Sequence, residues 1–245
     1  MTENLNVDRK KTRSEKIAYG ITVATISPFQ LLLILWFTYS ICHAPQLFAL
    51  GDQGYVYVYL YEFILDTVSI FFISIFPLIP VFILKKQGKI QSYTTQREDR
   101  FVLLGISLIG WFAIIPIYII LDQILAVNLR NFIIFSAAYF IIAVINIIFT
   151  TGFKFKTSLH MSGATSSILM IYISYGIYGG VPEYQLLILL FLFLIPIAWA
   201  KWKMQKSFKK GHTIPQLISG FLIGLLVVCF TIYFFQLYGF PIAWY

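Results

Sequence analysis

Residues 131–150 read NFIIFSAAYFIIAVINIIFT, a run with no charged side chain. A helix rising 1.5 Å per residue needs about 20 such residues to cross roughly 30 Å of hydrocarbon. The run shows no alternation of apolar and polar positions, which excludes a transmembrane barrel. On either side of it, further apolar runs fall at about 21–42, 57–84, 101–121, 161–179, 184–200 and 214–237. Composition agrees, since 59% of the 245 residues are hydrophobic, 18% aromatic and only 11% charged. A soluble domain of this length could not bury so much apolar surface. The expected fold is all-α, a polytopic transmembrane helix bundle of six or seven spans. Residues 1–20 are expected to form a basic cytoplasmic tail, and residues 21–245 a single transmembrane domain. The first run lacks the short apolar core and small-residue cleavage site of a signal peptide, so it reads as retained. Cys42 and Cys229 lie in or at the end of apolar runs and read as small packing residues.

The cations set an orientation. Arg9, Lys10, Lys11, Arg13 and Lys16 precede the first run, and Lys85, Lys86, Lys89, Arg97 and Arg100 follow the second. Lys154 and Lys156 follow the fourth, and Lys201, Lys203, Lys206, Lys209 and Lys210 follow the sixth. An even number of spans separates each group from the next, so 17 of the 18 Lys and Arg residues share one side. Short basic loops resist translocation, which makes that side cytoplasmic and sends the C-terminus outside. Asp52, Asp122 and Glu183 fall on the opposite side.

Three loops on the basic side carry more chemistry than a connector needs. The first holds Arg97 and Arg100, three apart, so that in a helix both guanidiniums share a face and can grip phosphate oxygens bidentately. The second runs Lys154-Phe155-Lys156-Thr157-Ser158-Leu159-His160 into the fifth span, with Thr157 or Ser158 as its N-cap. Its unpaired amides and positive dipole end point toward an anion. The third runs from Lys206 through Gly211-His212-Thr213-Ile214-Pro215-Gln216 into the seventh span, with Thr213 as cap and Pro215 in the first turn. Two imidazoles among cations at one membrane depth point to phosphate chemistry. The expected ligand is a lipid phosphate, with membrane lipids as surroundings and no nucleic acid.

These loops resemble the three signature motifs of the type 2 phosphatidic acid phosphatase superfamily, in order and topology over roughly residues 60–235. The superfamily pattern is Lys-x6-Arg-Pro, then Pro-Ser-Gly-His, then Ser-Arg-x5-His-x3-Asp. Arg97 with Arg100 resembles the first motif, with Lys89 one position off and Glu98 in place of Pro. Ser158 and His160 keep the second without its Pro and Gly, and Lys206 with His212 keeps the spacing of the third. Gln216 stands at the position of the Asp. The resemblance implies that His212 attacks phosphorus, that His160 protonates the leaving alkoxide, and that Gln216 orients His212. It also implies that Arg97, Arg100, Lys156, Ser158 and Lys206 hold the phosphate, with no metal and no cofactor required. The lipid tail is expected in a groove between helices that opens to the bilayer. Two other functions stay open: a non-catalytic relative that binds a phospholipid headgroup, and a small transporter using Glu62 and Asp66, four apart within an apolar run.

Overall fold

The computed structural model describes residues 12–24, 64, 67–89, 97–125, 129–178, 183–208 and 211–238, all helix or short connection, with no strand among them. Among the described residues seven α-helices can be bounded: α1 (Arg13–Ala24), α2 (Phe76–Lys86), α3 (Arg97–Leu125), α4 (Arg130–Thr151), α5 (Leu159–Tyr178), α6 (Glu183–Phe208) and α7 (Ile214–Leu237). A π-helical turn, Ile70–Ile75, leads directly into α2. Among the described residues, Phe132–Thr151 and Ile214–Leu237 are long and apolar enough to cross a membrane, and Leu108–Ile124 is a shorter apolar helix. Glu62, Asp66, His43, Cys42 and the expected span at 21–42 beyond Ala24 lie outside the described residues.

The π-helical turn follows from proline chemistry. The Phe76 amide donates to the Phe71 carbonyl, five residues back, and the next donor in that ladder would be Pro77, which has no N–H. The Phe72 carbonyl, deprived of that partner, abuts the Cα of Gly110 on α3, where a Cβ would collide with it. The distortion ahead of Pro77 thus doubles as the contact between this segment and α3.

The main core joins α3, α4, α5 and α7 around Trp111, Ile114, Tyr118, Phe132, Phe135, Tyr139, Ile142, Met170 and Val228. Trp111 stacks on Tyr139 at 4.7 Å, while Tyr118 meets Phe132 at 5.9 Å and Phe112 meets Phe140 at 5.6 Å. From Trp111 and Phe112 forward to Tyr118 on α3, the partners on α4 fall back from Tyr139 and Phe140 to Phe132, so the two helices are antiparallel. Carried back to the start of α3, this register sets Arg100 level with Thr150. A second core, Met161, Ala164, Leu194, Ile197 and Leu217, joins α5, α6 and α7. A third, Ala18, Ala200 and Met204, docks α1 on α6.

The outward faces are apolar. Along α7, Ile214, Ile218, Leu222, Leu226 and Phe230 are exposed at intervals of four, whereas Leu217, Gly220, Gly224, Val227, Val228 and Thr231 are buried. Leu78, Ile79, Phe82 and Ile83 on α2 and Leu192, Phe193 and Ile195 on α6 are exposed likewise. Cys229, read from sequence as a packing residue, lies on the exposed surface of α7, because the helix turns its glycines rather than its cysteine toward α5.

Candidate functional site

The site begins where α4 ends. Lys154 adopts a left-handed backbone, φ 53°, and the Phe155 amide donates back to the Phe149 carbonyl at 3.0 Å, turning the chain out of the helix. Thr157 and Ser158 are then buried, and each is fastened to a different helix. The Thr157 hydroxyl donates to Asn146 Oδ1 on α4, while Asn146 Nδ2 donates to the Ile142 carbonyl at 2.7 Å. The Ser158 amide donates to the Gln216 carbonyl in the first turn of α7 at 3.1 Å. Ser158 also caps α5, its Oγ accepting from the Met161 amide at 3.4 Å. His160 follows in that first turn, half-buried.

The second histidine is held by backbone. The His212 amide donates to the Lys201 carbonyl at 3.2 Å, and the Gly211 amide donates to Gln205 Oε1 at 3.0 Å, so residues 211–212 fold back on the end of α6. His212 is 4% exposed. Thr213 caps α7 in a capping box, its own amide donating to Gln216 Oε1 at 3.0 Å, and Pro215 lies in the first turn as its missing N–H favours.

Close crossing of α5 and α7 assembles these parts. A Cβ on Gly220 would strike the Ser158 carbonyl, and one on Gly224 would strike the Ser162 carbonyl. Ser166 Oγ reaches the Gly224 carbonyl at 3.5 Å. Glycines four apart leave no side chain between the helices and let the two backbones meet. Both contact series ascend together, so α5 and α7 run parallel and start at the same end of the bundle. Lys156 Nζ adds a direct bridge between the loops, donating to the Gly211 carbonyl at 3.2 Å beside His212. Two helix starts side by side each favour an anion by about 0.3–1 kcal/mol.

The structure thus brings together Lys156, Ser158, His160, His212 and Gln216. Arg97 and Arg100 occupy the first turn of α3, at the level where α4 ends; their guanidinium positions lie outside the described residues, as do Lys209 and Lys210. Lys206 is exposed, its ammonium 5.3 Å from the centre of the Trp202 ring, a cation–π contact at the edge of the site. Gln216 spends its side-chain oxygen on the Thr213 amide. Three contributors escaped sequence reasoning. Lys201, counted only as a loop cation, is 4% exposed because α6 continues as helix to Phe208. Gly211 fits only because it has no Cβ, which would collide with the Lys201 carbonyl. Asn146 sits mid-run in an apolar helix, and an amide in that setting is itself a signal of a buried polar partner. The chain has no significant match among protein-family models, curated proteins or solved structures.

Proposed function

We propose that this chain is a polytopic membrane protein of six or seven spans that hydrolyses a lipid phosphate, as a divergent relative of the type 2 phosphatidic acid phosphatases. The observation that carries the reading is the parallel, glycine-sealed crossing of α5 and α7, which sets His160 and His212 at adjacent helix starts among cations. The apolar outer faces of α2, α6 and α7 are surfaces that hydrocarbon solvates and water does not, which favours insertion over a soluble bundle. With the basic loops cytoplasmic, the site faces the cytoplasmic leaflet and the C-terminus lies outside.

In the proposed reaction His212 nitrogen forms a bond to phosphorus as the bond to the lipid oxygen breaks. His160 gives its proton to that departing alkoxide. Water then attacks the phosphohistidine, losing its proton to His160, and the phosphorus–nitrogen bond breaks to release inorganic phosphate and regenerate the His212 imidazole. Arg97, Arg100, Lys156, Ser158 and Lys206 contribute charge and hydrogen bonds to the equatorial oxygens, where most of the barrier reduction in phosphoryl transfer arises. Lys156 also has a positioning role, since its ammonium ties its own loop to the residue before His212.

A second reading, binding of a phospholipid headgroup without turnover, is favoured by Gln216. A neutral amide supplies no negative charge to a cationic imidazole, and its oxygen already serves the Thr213 amide. Phosphate release from phosphatidic acid and from a polyprenyl diphosphate, measured on reconstituted protein, separates the two. Release that falls at least about 100-fold in His212→Ala supports hydrolysis. Binding of the same lipids without release overturns hydrolysis in favour of the second reading.

A further inference from the structure

Beside the two helix starts lies an apolar cavity of about 370 Å³, lined by residues of α5, α6 and α7 that include Met161, Ala198, Trp202, Ile214, Ile218 and Phe221. The proposed hydrolysis uses none of these side chains. Met161 directly follows His160, and Ile214 is two residues beyond His212, so one end of the cavity is level with the imidazoles. From Ile214 to Phe221 the helix rises about 10 Å away from that end. Trp202, Ile214 and Ile218 are exposed, so the cavity opens sideways rather than into the core. At its histidine end the Lys206 ammonium lies against Trp202, and Lys156 bridges to Gly211.

Charge and hydrophobicity are therefore sorted along one short axis, with cations and imidazoles at the head and an aromatic, aliphatic trough leading away. We infer that this cavity is the groove for one hydrocarbon chain of the lipid phosphate, gripping the chain segment nearest the headgroup. The inference rests on the proposed headgroup site and adds which helices receive the tail. An apolar peptide or a neutral lipid would gain nothing from the cationic end, whereas a lipid phosphate satisfies both ends together. A cavity of this size falls in the range of pockets that enclose small ligands, about 300–1,000 Å³.

Two measurements on the full-length protein in phosphatidylcholine nanodiscs test it. In the first, kcat/KM is compared across n-alkyl phosphates from ethyl to dodecyl. It should rise by up to about fourfold per methylene until some 10 Å of chain is buried, then level off. Ala198→Trp, which fills the trough, should lower the dodecyl-to-ethyl ratio at least tenfold; an unchanged ratio in a folded variant overturns the inference. In the second, phosphatidic acid bearing a diazirine on its acyl chain is photolysed in the nanodisc and the adducts are mapped, with the matching phosphatidylcholine as control. Selective adducts on residues 198–202 and 214–221 support the groove, and equal labelling by both probes, or labelling elsewhere, overturns it. Selective labelling without phosphate release from alkyl phosphates, phosphatidic acid or the polyprenyl diphosphate would sink the catalytic proposal while leaving the groove standing.

Discussion

At Gly211 a Cβ would run into the Lys201 carbonyl and the Gln205 amide, the groups that receive and flank residues 211 and 212 as they fold back on α6. Gly211→Ala must therefore push this segment off the helix. A loss of about 1–3 kcal/mol of stability is expected from such overpacking, together with a fall in phosphate release. Thermal unfolding in detergent and the release assay check both effects. Gln216 is separable from His212 by similar means. Its oxygen serves the Thr213 amide, so Gln216→Leu should cost about 1 kcal/mol by breaking the capping box. Gln216→Glu keeps the acceptor and should stay within about 0.5 kcal/mol of the parent. Equal destabilisation by the two substitutions would contradict the capping role. The cap of α7 was legible from Thr213 and Pro215, because capping is local in sequence. The partner of the Gln216 side chain was not, because sequence spacing allowed both Thr213 and His212.

The α5 and α7 pair is where helices decide the site. Gly220 and Gly224 present no side chain, and Ser158, Ser162 and Ser166 supply the facing surface. Gly224→Leu should separate the backbones, destabilise the bundle by about 1–3 kcal/mol and lower phosphate release well beyond what the stability loss accounts for. If release per folded molecule stays constant in Gly224→Leu, the crossing does not position the histidines. On the other flank, Asn146 of α4 holds the Thr157 hydroxyl. Asn146→Leu leaves that hydroxyl buried without its partner, at an expected cost of about 1 kcal/mol, the usual net contribution of one hydrogen bond. Helix identity and approximate length were legible from apolar runs. Nothing local to α7 names α5 as its neighbour, since the choice depends on facing surfaces far apart in the chain.

For the molecule as a whole, the distribution of charge makes a topological prediction. Single cysteines at Lys154 and Ser207, introduced into a Cys42→Ser, Cys229→Ser background, should react with membrane-impermeant maleimide only from the cytoplasmic side, and one at Asp122 only from the outside. Labelling of 154 and 207 from opposite sides would destroy both the topology and the shared site. Hydropathy alone was enough for the helical class, because long continuous apolar runs without period-two alternation suit helices and not half-buried strands. Equally local are the alternation of basic and non-basic loops and the caps of α5 and α7, each a property of a few neighbouring residues. Long-range packing is what makes α5 and α7 meet in parallel through Gly220 and Gly224, brings Lys156 to the Gly211 carbonyl, buries Lys201 and opens an apolar trough beside the histidines. Those outcomes depend on surfaces separated by dozens of residues, and close packing, unlike hydropathy, is not written in any one segment.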